Sequence, residues 1–586
     1  MISRSPIGEP VLNEIQSRCL HRNRDTVIVL VLTVLAFAVR FYRVDFNSFS
    51  EDESAKWAAV QQYEHGHFAG VNSEHPMLLK MSAWASLKAG ECWNRIALRH
   101  GWPSLLPEGW LRLPNVLFGA LATAVLYLLC RRMMRIAGSF AASLFWAVSP
   151  LAIALNRLAK EETPLTFFTL LACYFYCRAQ QAEVDVSARR WYDLSAISFG
   201  LSFASQYIIH LLGLNALAWL IAGKMGITRE PSRFRYTRFF LIIFISLIFV
   251  NPVVLSPSNF HAIVSWLHQD GVKHIGYDFD GTLYINLPAR LLTGVPWFYY
   301  LWLLLVKTPI PILAAVIVGS IMLLRDRRTI AFCFFMALGM IQLLGLSVSG
   351  AKWIRYSLPL LPFLYLAGGY AVQQTWNFAK ARGRSLAWVT AAAAILLVWP
   401  LVELRAWTPY YPFYLNAIGG GRARIARYFA PDEVSEFDSR EVAQVVCASA
   451  PMAATLATAR PMSMAYYLET CGRTDIHIKP LYNSRYAPSN GDLIVLEASR
   501  RFFETQKFFD TLPDSPMSHR EVHVGPVVAS TIYRFDGSVA MPTAEQATVT
   551  QLRKSGSQFP TSTRRMEPAM TNSLFAFLPG RARSKQ

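Results

Sequence analysis

Long apolar runs, separated by short clusters of Lys and Arg, constrain this chain more than any other feature. A helix that crosses a bilayer needs about 20 predominantly apolar residues. About eleven such runs occur, centred near Leu32, Thr123, Phe145, Leu170, Phe199, Ala216, Ile245, Leu305, Ala337, Tyr365 and Ala394. Only 16% of the residues are charged, against about 25% in soluble domains. Hydrocarbon excludes charge at roughly 2.5–3.5 kcal/mol per ionised residue, so the deficit and the runs together predict a polytopic α-helical membrane protein. The net charge of +19 does not indicate a nucleic-acid partner, because the basic residues sit between apolar runs.

Loop charge orients the spans, since short cytoplasmic loops collect Lys and Arg. With eleven alternating spans, Arg22 and Arg24, Arg131–Arg132–Arg135, Arg189–Arg190, the stretch from Lys224 to Arg238, Arg325–Arg327–Arg328 and Lys380–Arg382–Arg384 all fall on one side. That side is predicted to be cytoplasmic. The expected organisation is a cytoplasmic N-terminus (1–26), a membrane domain (27–402) with a long first outer loop (45–112) carrying interfacial helices, a small α/β domain (403–540) and a disordered tail (541–586). In the α/β region, Val442–Cys447, Leu493–Leu496 and Val527–Tyr533 are the strand-like runs. The start is not a clean secretory signal; the run from Val27 to Val39 is expected to stay as the first membrane helix. Cys447 and Cys471 are equally consistent with a disulfide and with two thiols.

The polar residues that face outward are unusual for loops. Glu51-Asp52-Glu53 follows the first span. It suits an acidic helix start, and it also suits a general base acting on an acceptor hydroxyl. Lys80, after Glu74-His75-Pro76, is either a lysine reaching for the interface or a charge directed at phosphate. The turn from Asn156 to Thr163 contains Arg157, Lys160, Glu161 and Glu162; ionisable groups at membrane depth pair with one another or line a functional cavity. Lys352 and Arg355 stand on the outer side, against the positive-inside trend, and an arginine fork binds phosphate oxygens well. Asp278 and Asp280 lie in another outer loop, where a solvated turn is the plain alternative. Carboxylates plus cations on one membrane face suit a phosphate-bearing lipid substrate whose leaving phosphate gains charge.

Several stretches, taken in order, resemble the protein O-mannosyltransferases and the related aminoarabinose lipid A transferases, within the GT-C membrane glycosyltransferases. They are Asp52-Glu53, His75-Pro76 with Lys80, Leu111-Arg112-Leu113-Pro114-Asn115, Arg157 through Glu162-Thr163-Pro164, Val306-Lys307-Thr308-Pro309, Arg355-Tyr356-Ser357-Leu358-Pro359, and Asn416 to Gly421. The resemblance covers roughly residues 40–425. It implies a GT-C-like fold, a polyprenyl-phosphate sugar donor and an inverting transfer. By position, it implies Asp52 as catalytic base with Glu53 beside it, Lys80 and Arg355 on the donor phosphate with Lys352 nearby, and His75, Arg157 and Glu162 in support. Glu162 stands where many members have Asp, and Met77 replaces a second Pro after His75-Pro76. Asp278 and Asp280 are candidates for the acceptor side only.

The expected partners are membrane lipid, the lipid-linked sugar, and a protein, lipid or envelope-glycan acceptor, in a bacterial cytoplasmic membrane with the active face outside. No cofactor or metal ion is expected, though a metal-dependent relative of the oligosaccharyltransferase kind would place a divalent cation on the outer carboxylates. A membrane transporter is the rival from another class; it predicts inverted repeats with broken midplane helices, and no such pairing occurs in the sequence.

Overall fold

The computed structural model describes residues 9–68, 70–228, 234–267, 276–288, 290–382, 386–481, 487–501 and 503–539. The tail expected at 541–586 lies outside them. The chain begins with α1 (Glu9–Phe41), then α2 (Glu51–Glu64) and α3 (Met77–His100) in the first outer loop. Next come α4 (Pro107–Cys130), α5 (Ile136–Val148), α6 (Pro150–Asn156), α7 (Glu162–Gln180), α8 (Asp185–Phe203), α9 (His210–Lys224) and α10 (Tyr236–Val250). After α11 (Pro257–Leu267) and a hairpin of β1 (Gly276–Phe279) and β2 (Thr282–Ile285) follow α12 (Tyr299–Lys307) and α13 (Ile310–Arg325). Then α14 (Ile330–Phe334) runs through a π-helical segment into α15 (Gln342–Val348), followed by α16 (Leu361–Ala381) and α17 (Leu386–Trp407).

All eleven predicted centres fall inside helices. Complete crossings are a stricter matter. Among the described residues, α4 and the continuous helix Ile330–Val348 are each long and apolar enough to cross a membrane, and α5 with α6 makes a third if the bent pair is one span. Others, such as α10 and α13, are apolar but shorter.

The bend between α5 and α6 has a clear cause. Pro150 has no N–H, so the carbonyl of Trp146 loses its helical partner. Arg40, fully buried on α1, donates to Trp146 O at 3.0 Å and Ala147 O at 3.1 Å, and its Nε reaches Asn156 Oδ1 at 2.9 Å. A guanidinium at this depth is therefore spent on freed carbonyls. It ties three helices together and sets the turn that follows α6.

The C-terminal unit is built on a five-stranded mixed sheet. Its strands are β3 (Thr455–Thr458), β4 (His477–Pro480), β5 (Leu493–Glu497), β6 (His519–Val524) and β7 (Val527–Arg534), in the order β4-β3-β5-β7-β6. The β3 strand runs parallel to β4 and β5, and β7 is antiparallel to β5 and β6. Helices α18 (Ser439–Ser449), α19 (Pro461–Thr470) and α20 (Phe503–Thr511) complete it. The runs at Leu493 and Val527 are strands, as their β-branched content predicts. The run Val442–Cys447 is not a strand; it lies in α18, with Val442, Ala443 and Val446 on one buried face. Helical spacing against the core overrode local β preference there. Cys447 and Cys471 form a disulfide.

At the centre of this unit Arg460 is fully buried between Asp438 and Asp432, the latter at 3.1 Å. Burial pushes Asp432 up to about 6 and Glu497 up to about 7, despite Arg460 nearby. Folding thus retains protons that the unfolded chain releases near pH 4, so stability falls as pH rises through the interval up to these values. Glu436 is held low, chiefly by Arg500 acting against burial, and so contributes only below that interval. The expected result is a lower Tm for this unit at pH 7 than at pH 5, measured by differential scanning calorimetry. A flat or rising profile would remove the buried-acid explanation.

Candidate active site

The acidic trio after the first span points in three directions, which follows from helical geometry. Successive residues on a helix are separated by about 100°. Ser50 caps α2: its Oγ accepts from Glu53 N at 3.3 Å, and Glu53 Oε2 accepts from Ser50 N at 3.0 Å.

Glu53 then faces inward. Arg112 of α4 grips it through Nε at 2.8 Å and Nη2 at 2.7 Å, and Ala159 N donates to it at 2.9 Å. Arg112 uses its remaining N–H groups on the carbonyls of Val44, Asn47 and Ser48. Both residues are fully buried. Glu53 has no oxygen left for a substrate, so its placement beside Asp52 as a catalytic group is corrected to that of a brace. Glu51 points the other way, into the C-terminal unit. Its carboxylate accepts from Met462 N and Ser463 N, both at 3.0 Å, at the start of α19.

Asp52 alone of the three keeps an open side chain, about 43% exposed, and it pairs with Lys160. Around it lies a continuous charged network. Lys56 meets Glu161 at 3.0 Å, His75 Nε2 is 3.9 Å from Glu161, and Arg355 Nε is 3.3 Å from Glu162. Burial opposes the charge on Glu161, but His75, Lys56 and Lys160 together hold its carboxyl well below the usual range. Burial, then repulsion from Arg355, pulls Lys160 below the ordinary lysine value. Arg355 stays firmly charged, because Glu162 and its acidic neighbours outweigh burial. Its guanidinium stacks over Trp353 at 4.6 Å and remains partly exposed.

Two predicted phosphate cations are corrected. Lys80 is buried, and its ammonium donates to the carbonyls of Val71 and His75 and to Asn72 Oδ1. Burial draws it down to about 7. It fastens its own loop. Lys352 is fully buried on the carbonyls of Ser347 and Ser349. Arg157 donates to Arg43 O and Pro409 O and lies 5.1 Å from the Tyr411 ring, which makes it a structural tie.

Asp278 and Asp280 belong to the β1–β2 hairpin; residues 268–275 before it, including His274, lie outside the described residues. Asp280 and Gly281 both have positive φ, 51° and 74°, as a type I′ turn requires. Asp280 lies 3.9 Å from Arg427. On the other strand face, Tyr277 and Phe279 join an aromatic cluster with Tyr299, and Tyr277 contacts Trp353. The hairpin therefore backs the Arg355 wall through its aromatic rings, and its carboxylates are not gathered with Asp52.

Lys160 and Glu161 stood out in the sequence only as members of a charged turn, with no role assigned, and Lys56 was not singled out. The dense turn at Asn156–Thr163 was visible, but its partners lie a hundred residues away. Two of the sequence stretches that carry the resemblance also meet in space. Asn416 Nδ2 donates to Leu305 O and Thr308 O, and Lys307 donates to Pro412 O. Among the described residues, no cluster of three or more His, Cys, Asp and Glu is arranged to hold a metal ion.

Residues 107–255, from α4 to just beyond α10, match the profile of the dolichyl-phosphate-mannose-protein mannosyltransferase family. No curated protein sequence matches the chain. Among solved structures, apo ArnT from Cupriavidus metallidurans superposes with a TM-score of 0.50 at 13% identity, covering 88% of this chain and 99% of that one. The same enzyme bound to undecaprenyl phosphate gives 0.47 with the same identity and coverage. The Pmt1–Pmt2 complex of S. cerevisiae, bound to its sugar donor, gives 0.28 at 20% identity over 44% of this chain and 35% of that one. Residues 107–255 thus resemble the dolichyl-phosphate-mannose-protein mannosyltransferase family, and the chain as a whole shares its fold with ArnT.

Proposed function

We propose that the protein is an inverting glycosyltransferase that moves a sugar from a polyprenyl-phosphate donor to a hydroxyl or amine on a protein, lipid or envelope glycan. It would act on the outer side of a bacterial cytoplasmic membrane, with the eleven-span topology and the C-terminal unit outside. The observation that carries this reading is the pairing of the half-open Asp52 with Lys160, beside Glu162–Arg355. The disulfide in the C-terminal unit supports an oxidising compartment. The donor class is supported by the family named for dolichyl-phosphate-mannose.

In the proposed reaction Asp52 takes the proton of the acceptor group. That group's electron pair forms a bond to the anomeric carbon, on the face opposite the phosphate. The carbon–oxygen bond to phosphate breaks, and its electrons leave with the lipid phosphate. Arg355 and Lys160 stabilise the charge that develops there. Glu53 and Arg112 fix α2, so Asp52 is presented rigidly. The reading requires no cofactor beyond the donor.

Arg355→Lys should keep the charge but lose the planar fork and its stacking. We expect roughly a tenfold rise in donor KM, with the folded protein retained. The reading itself is tested by mass analysis of envelope proteins, lipids and glycans from cells with and without the active chain. Loss of one hexose- or pentose-sized modification is expected; an unchanged envelope would overturn the assignment.

A further inference from the structure

A cavity lies at the other end of α7 from the charged network. This helix leaves the transfer site at Glu162 and runs 19 residues to Gln180, about 28 Å at 1.5 Å per residue. That is close to the thickness of the hydrocarbon core, and in the topology expected from loop charge Arg131–Arg132–Arg135 lie on the face opposite the transfer site. Its volume is about 310 Å³, and its walls include Arg132, Arg178, Gln181, Glu183, Ser187 and Trp191.

Two guanidiniums share this space. Arg178 stacks 4.2 Å above the Trp191 ring and donates to Tyr174 Oη at 3.0 Å. The Arg132 side chain makes no hydrogen bond to the described protein, and its Nε is buried without an acceptor. Among the described residues, neither arginine forms an ion pair. Burial, then the nearness of Arg178, lowers the Arg132 pKa from its ordinary value. A buried donor without a partner is costly, and two like charges side by side add to that cost. An anion between them would offset both.

The rim suggests what kind of anion. Val184, which lines the cavity just before α8, and Val186, in the first turn of α8, are strongly exposed, at 63% and 57%. Exposed valines beside an arginine cavity at a membrane face fit the glycerol and acyl boundary of a lipid. They add nothing for a small soluble ion. Glu183, the carboxylate on the rim, is exposed to solvent, where its repulsion is screened. Basic pockets between membrane helices bind lipid head groups by this chemistry.

We propose that the Arg132–Arg178 cavity binds the phosphate of a phospholipid head group, at the face opposite the transfer site. The arginines take the phosphate oxygens, Trp191 holds Arg178 flat, and the valines meet the lipid. No residue of this cavity takes part in the transfer chemistry, so failure here leaves the proposed function standing.

The test uses the full chain in a phosphate-free maltoside detergent, titrated with short-chain phosphatidylglycerol while thermal unfolding is followed. Inorganic phosphate is titrated in parallel. Phosphatidylglycerol should raise the Tm of the wild type, with a half-saturating concentration roughly tenfold or more higher in R132Q and R178Q. R132Q should unfold like the wild type without lipid, since the Arg132 side chain donates no bond to the described protein, which separates lost binding from lost folding. Native mass spectrometry should show one lipid retained by the wild type and lost from both variants. An equal lipid response in wild type and variants would overturn the proposal. So would a Tm shift produced by inorganic phosphate alone, which would mark a site for a soluble anion.

Discussion

Asp52→Asn should lower sugar transfer by roughly 10²–10⁴-fold, the usual contribution of a positioned general base, while the protein still folds. The substitution leaves the capping box of Ser50 and Glu53 and the Glu51 contact with α19 in place. Donor binding should change little, because the proposed phosphate grip, Arg355 and Lys160, remains. The measurement is single-turnover transfer from a purified lipid-linked sugar, with donor affinity determined separately. Wild-type rates in this variant would end the assignment of Asp52. A large loss of donor affinity with normal chemistry would move Asp52 from base to binding residue.

The second large effect concerns stability. Arg112→Met should remove the counter-ion and both direct bonds of a fully buried carboxylate. Breaking a buried pair from one side costs about 3–5 kcal/mol, a large share of the roughly 5–15 kcal/mol that holds a typical domain. We expect a strongly lowered Tm and poor recovery from membranes. The double variant Arg112→Met with Glu53→Met should regain part of that loss, because no unpaired charge remains inside. If the double variant is less stable than the single one, Glu53 acts through something other than its charge.

The helices were legible because apolar runs and basic loops are local signals. Asp52 and Arg355 were singled out through motif order, and both keep partly exposed side chains in the same charged network. Their neighbours Glu53, Lys80 and Lys352 read the same way in sequence but are consumed by buried bonds. The Ser50–Glu53 spacing already carried a capping-box signature, and it would have argued for Glu53 as a structural residue. Nothing comparable existed for Lys80. Its acceptors are mostly backbone carbonyls, which no side-chain pattern announces. Lys160 was visible as a charge, but its pairing with Asp52 depends on the bend at Pro150 and on Asn115, which donates to Leu158 O and Lys160 O. The misread helix α18 has a similar origin, since its valines favour strands locally and only the packed core decides.

Glu51 reaches into the first turn of α19, while Arg440 and Tyr467 of the C-terminal unit both bond Glu108 of α4, each at 2.6 Å. These joints make the two halves poor candidates for independent exchange. A hybrid that takes its membrane part from one homologue and its C-terminal unit from another would bring mismatched partners to the helix that carries Asp52. Recombination is expected to succeed only when the loop from 45 to 112 travels with the C-terminal unit, as one inherited block.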